Sequence, residues 1–147
     1  MIDPDDYADN YPSHFLCWIV LHEYTAQFSD HFTSGLFADK YDAVIIVGAL
    51  SDGQVPVSLL PELLRVSKAG GLVCMTTRSN TSNLKYKADL EEEMSSLQSK
   101  GFWEQVLVEE VEQWEKATSE KEIAKESDYI SGVIYIYRKI PDPSTGS

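Results

Sequence analysis

From Tyr41 onward the chain alternates between two hydrophobic patterns. The run "YDAVIIVGAL" is continuous, apolar and rich in β-branched residues, with polar residues on either side. That predicts a strand buried on both faces. "SDGQVP" follows as a loop. Residues 57–68 then repeat at helical period, with Leu59, Leu60, Leu63, Leu64 and Ser67 on one side. Glu62, Arg65 and Lys68 fall on the other. Gly70 and Gly71 are expected to end that helix by supplying the positive φ of a C-cap. "GLVCMTT" is the next buried strand.

"RSNTSNLKYK" predicts a polar loop that ends in helix-capping residues. In "KADLEEEMSSLQSKG" the spacing of Leu90, Met94 and Leu97 predicts a second amphipathic helix, closed by Gly101. "FWEQVLVEEVEQWEKA" alternates apolar with polar at Val106, Val108 and Val111, the pattern of a strand that leaves into a charged segment. "TSEKEIAKESD" reads as surface, "YISGVIYIYRKI" as a final strand and "PDPSTGS" as a disordered tail.

The order is β-α-β-α-β-β. Alternating strands and helices predict a parallel sheet with crossovers, and the last two strands an antiparallel edge pair. Residues 1–40 are less legible. "DPDDYADNYPSH" is a turn-rich lead-in, and "FLCWIVLHEYTAQF" fits either a short buried helix or a strand running into one.

Composition narrows the function classes. A chain of 147 residues, 43% hydrophobic and 24% charged, is long enough for one domain with a real core. A net charge of −12 argues against a surface that tracks nucleic-acid phosphates. "FLCWIVL" is about a third of the roughly 20 residues a membrane span needs, and an acidic stretch precedes it where a signal peptide carries a basic one. The expectation is a cytoplasmic protein with neither a nucleic-acid nor a membrane partner.

Several motifs stop short of chemistry. Cys17 and Cys74 form no C-x-x-C, and Cys74 sits in a strand pattern as a buried thiol. His22-Glu23 begins H-E-x-x-H, but Ala26 stands where the second histidine belongs, so no metal site is expected. After Gly48 and Gly53, Gln54-Val55 replaces the Lys-Ser/Thr of a phosphate loop. Trp103, Trp114, Tyr129, Tyr135 and Tyr137 read as core and sheet-face aromatics.

The stretch from "YDAVIIVGAL" through "LLRVSKAGGLVCMTT" to the final strand pair resembles the second half of class I S-adenosylmethionine-dependent methyltransferases. Tyr41-Asp42 matches the aromatic-Asp pair that opens that family's fourth strand. Lys68-Ala69-Gly70-Gly71 matches the Pro-Gly-Gly-like turn before the fifth, with Ala for Pro. The resemblance covers residues 41–139.

It implies an α/β chain with a partial Rossmann-like methyltransferase fold: a mixed sheet of parallel strands with an antiparallel C-terminal edge pair, and the N-terminal half missing. Residues 41–140 would be the C-terminal half of the domain, 1–40 an atypical segment and 141–147 a tail. The implied cofactor is S-adenosylmethionine, with Val47, Gly48, Ala49 and Leu50 beside its methionine portion. Ligands in such sheets bind beyond the carboxyl ends of the strands, so Ser51, Gln54, Thr77 and Arg78 are the implied acceptor contacts, near Asp52, Thr76 and Asn80. Asp42 lies at the opposite edge, in a structural role.

Against this, Gly35 is the only glycine in residues 1–40, so the family's glycine-rich loop is absent, and Asp30 and Asp39 follow no clear strand to hold a ribose. Impaired cofactor binding is expected. No catalytic residue or methyl acceptor can be named, because methyl transfer is largely a matter of positioning the acceptor. The open edge of the strand at residues 41–50 is expected to serve a protein partner or a second copy.

Overall fold

The computed structural model describes residues 17–18, 38–116 and 129–142. These form β1 (Cys17–Trp18), β2 (Tyr41–Leu50), α1 (Leu60–Val66), β3 (Ser67–Arg78), α2 (Leu84–Ser99), β4 (Trp103–Lys116) and β5 (Tyr129–Lys139). One five-stranded sheet results, in the order β1-β2-β3-β5-β4. β1, β2 and β3 run parallel, whereas β5 is antiparallel to both β3 and β4. The β-α-β-α-β-β order and the antiparallel final pair are as expected. β1 resolves the open reading of "FLCWIVL" at two residues as strand. His22-Glu23, the segment 118–128 and most of the tail lie outside the described residues.

Both helices cover one face of the sheet. Val44 and Ile46 of β2, Val73 and Met75 of β3, and Val133, Tyr135 and Tyr137 of β5 are buried there. They pack with Leu60, Leu63 and Leu64 of α1 and with Leu90, Met94 and Leu97 of α2. On the other face Ala43, Ile45, Leu72, Cys74, Ile134 and Ile136 are only partly buried. The expectation of strands buried on both faces is therefore corrected to one face. A continuous apolar run records hydrophobicity but not which side a helix takes.

The first helix is shorter than its periodicity predicts. A 3₁₀ turn (Val57–Leu59) leads into α1, which stops at Val66 because Ser67 is already extended, at φ −77° and ψ 142°. The last carbonyls of α1 are satisfied from outside the segment. Asp39 N–H donates to Arg65 O at 2.9 Å, and Lys40 N–H to Val66 O at 3.0 Å. Buried Ser67 returns its hydroxyl to Leu63 O at 2.6 Å, and Lys139 Nζ bridges Ser67 O at 2.8 Å and Asp39 Oδ1 at 2.7 Å.

Gly70 and Gly71 are thus not the cap. They lie within β3, where Lys68, Ala69, Gly70 and Gly71 oppose Asp42 alone, between the pairs Tyr41↔Ser67 and Ala43↔Leu72. Gly70 takes φ +79° in this bulge. Asp42 pairs with Lys68 at 3.3 Å, the structural role expected of it.

The second helix also begins earlier than predicted. Thr81–Asn83 form a 3₁₀ turn and α2 starts at Leu84, so most of the expected polar loop is helical. The extra turn buries Tyr86, whose hydroxyl donates to Val55 O at 2.6 Å. Gly101 ends α2 as expected. Its N–H bonds Gln98 O at 2.9 Å and Phe102 N–H bonds Leu97 O at 3.1 Å, a Schellman pair with φ +81° at the glycine.

α2 is tied to the sheet through Glu91. Tyr135 Oη–H donates to Glu91 Oε1 at 2.6 Å, and Lys87 Nζ reaches the same oxygen at 2.9 Å. Burial pushes the Glu91 carboxyl up, but the hydrogen bonds from Tyr135 and Lys87 and the Lys87 charge outweigh it and hold the pKa below the usual glutamate range. A depressed folded pKa adds stability above the unfolded pKa, and that stability is lost as pH falls through the folded value. Glu91→Gln should therefore melt below the parent at neutral pH, with the gap closing in acid beneath the ordinary glutamate range. The gap should be modest, since the side chain is 41% exposed. Melting curves against pH check this; a gap that widens in acid would refute it.

Candidate functional site

The carboxyl ends of β2 and β3 form a shallow cleft, and two bulges shape it. The first lies in β2. Ile46 pairs with Met75 and Leu50 with Thr77, so Val47, Gly48 and Ala49 oppose Thr76 alone. Gly48 takes φ +73° and donates its N–H to Thr76 Oγ1 at 3.2 Å. The excess residues rotate the strand end. Val47 turns outward, 42% exposed, while Ala49 and Leu50 return to the core.

The second bulge lies in β4. Val111 pairs with Gly132 and Glu115 with Ile130, leaving Glu112, Gln113 and Trp114 opposite Ser131. Trp114 folds over Gly132 so closely that a Cβ there would sit 2.7 Å from the indole Cγ. Glu115 follows and pairs with Arg78 Nε of β3.

Of the eight implied site residues, the cleft gathers Gly48, Leu50, Ser51, Gln54, Thr77 and Arg78, and it also takes in Thr76. Val47 and Ala49 are not among its lining. Trp114 and Glu115 complete the far wall, and neither was expected there from sequence. Their only sequence signal was an apolar-polar alternation that falls out of step after Val108, in "VEEVEQWEK".

The polar groups divide by function. Thr77 Oγ1 donates to Leu50 O at 2.7 Å and accepts from Asn83 Nδ2 at 3.0 Å, so this hydroxyl fixes the two strand ends. Asn83 also donates to Arg78 O at 2.7 Å and accepts from Asp52 N–H at 3.4 Å. Ser51 and Gln54 belong to a turn closed by Gln54 N–H to Ser51 O at 3.1 Å. The cleft encloses about 50 Å³, well below the 300–1,000 Å³ typical of small-molecule sites. Among the described residues no group of three or more His, Cys, Asp or Glu could hold a metal, and no helix is long and apolar enough to cross a membrane.

A β2-α1-β3 unit with parallel strands, followed by a helix and an antiparallel pair whose last strand lies beside β3, resembles part of the Rossmann-like methyltransferase fold. By sequence, the chain is 61% identical over 64 residues to the human methyltransferase-like protein 27, and so resembles the class I S-adenosylmethionine-dependent methyltransferases. The match takes in 44% of this chain and about a quarter, 26%, of that relative's length.

No family model matches the chain. Solved structures that overlap it include M. jannaschii TYW2 in complex with AdoMet, at 15% identity, a TM-score of 0.41, and coverage of 71% of this chain and 41% of that one. An arsenic(III) S-adenosylmethionine methyltransferase of Chlamydomonas reinhardtii overlaps at 20% identity and a TM-score of 0.38, covering 74% and 40%. A 16S rRNA adenine N1-methyltransferase of Catenulisporales acidiphilia gives 16%, 0.43, and 76% and 58%.

Proposed function

We propose that this chain is a methyltransferase-family polypeptide that retains the acceptor-side wall of the site and holds S-adenosylmethionine only weakly. The observation that carries this reading is the 61% identity to methyltransferase-like protein 27 over 64 residues. The convergence of Gly48, Ser51, Gln54 and Arg78 on one cleft supports it. Weak cofactor binding follows from the single glycine of residues 1–40, since a backbone without glycines cannot approach the methionyl group closely. The residues present would meet the methionine end of the cofactor, which when bound supplies an activated methyl group. Gly48 and Leu50 would lie beside that end, and Ser51, Gln54 and Arg78 would orient the acceptor next to it.

Calorimetric titration of the folded chain with S-adenosylhomocysteine tests this. The expected outcome is a dissociation constant near the millimolar range, roughly −4 kcal/mol. A micromolar constant would mean that residues 1–40 rebuild a cofactor loop, and the impairment is wrong. No heat through several millimolar would leave the second reading.

That second reading is a non-catalytic module that pairs through the sheet edge. It is favoured by β2, a ten-residue strand whose outer side pairs only at Val44 and Ile45 among the described residues. Sedimentation of the pure chain should then give a dimer, not a monomer.

A further inference from the structure

We infer that Trp114 sets the specificity of this cleft, presenting a flat apolar wall to an uncharged, ring-bearing small molecule. The inference rests on the methyltransferase reading and goes beyond it by naming the chemistry of the acceptor. Bulges re-aim side chains next to binding sites, and the one at Glu112, Gln113 and Trp114 carries the indole off the regular register of β4. Gly132 is the space into which the Trp114 side chain settles, since the nearest three contacts of a Cβ there would be its Cγ, Cβ and Cδ1, at 2.7, 3.0 and 3.1 Å. The ring is half-buried and lines the cleft beside Arg78 and Glu115.

Charge narrows the ligand further. Arg78 and Glu115 pair with each other, so the wall beside the indole carries no net formal charge. Because each of these charges already has a partner, an ammonium or a carboxylate entering beside the indole would give up hydration without gaining an unpaired counter-charge. Ser51 and Gln54 remain as uncharged hydrogen-bonding groups at the opposite lip. A neutral ring with one polar substituent fits this surface best.

The competing account is that Trp114 merely covers Gly132. The full chain is labelled with 5-fluorotryptophan, which gives three resonances for its three tryptophans, and Trp114→Phe assigns the one in the cleft. Phenol, benzoate and benzylamine then serve as neutral, anionic and cationic probes of one ring, without cofactor present. Phenol should shift the Trp114 resonance saturably, with both charged rings weaker by about tenfold. Phenol line broadening on the variants should show Trp114→Phe near the parent and Trp114→Leu, which covers Gly132 without a ring, weaker by about 2- to 10-fold. A charged probe that binds as tightly as phenol overturns the inference. So does a phenol titration without a shift, or a leucine variant that binds like the parent. Cofactor affinity is read separately by calorimetry, so either result can fail while the other stands.

Discussion

Replacing Trp103 with alanine should cost about 3–5 kcal/mol, the range for deleting a fully buried large aromatic side chain. Trp103 has no solvent exposure and occupies the junction of α2, β4 and β5. Its ring stacks on Tyr137 with centroids 4.4 Å apart, and its indole N–H donates to Met94 O at 3.0 Å. Alanine removes all three contributions and opens a cavity between sheet and helix. For a chain of this length the melting temperature should fall on the order of 10 °C. Trp103→Phe keeps a stacking ring and loses chiefly the hydrogen bond, so it should cost about 1–2 kcal/mol. Equal losses in the two variants would show that the cavity and the stack count for little.

Gly71→Ala should be nearly as damaging, although glycine to alanine normally stabilises an extended segment. A Cβ at this position would lie 2.8 Å from Lys68 O, 3.0 Å from Asp42 O and 3.3 Å from Tyr41 O. All three are backbone atoms, which cannot swing away as a side chain does. The bulge must open, and with it the Tyr41↔Ser67 pair that anchors the start of β3. A loss of about 3 kcal/mol, at the upper end for overpacking, is expected. At Gly70 the Cβ meets nothing within 4 Å but φ is +79°, so alanine there should cost closer to 1 kcal/mol. Chemical denaturation of both variants checks the ordering. Gly70→Ala proving the worse of the two would mean that conformation outweighs close approach.

These two glycines also show where sequence reading stopped. As a string, Lys-Ala-Gly-Gly after an amphipathic segment is a helix terminus, and a C-cap and a bulge place the same demand on a glycine. What ends α1 is supplied by Asp39, Lys40 and Lys139. Those residues are remote in sequence, and no local pattern reveals them. Strands and the α2 stripe were legible because Val44, Ile46, Leu90, Met94 and Leu97 obey the periods that burial imposes. Ser51, Gln54 and Arg78 could be read toward the cleft because strand ends converge in such sheets. Trp114 could not, because a three-residue bulge leaves no mark beyond a lost alternation.

The strand order carries a consequence for how the chain is made. β5 is the latest of the described strands in sequence, yet it lies between β3 and β4 and joins them. While a ribosome is still adding residues 117–128, β3 has one unsatisfied side, β4 has no neighbour, and Trp103 lacks Tyr137. Closure waits for long-range pairing, which is slow compared with local contacts. During synthesis the nascent chain should stay sensitive to protease and available to chaperones until Tyr129–Lys139 emerges, and then protect itself in one late step.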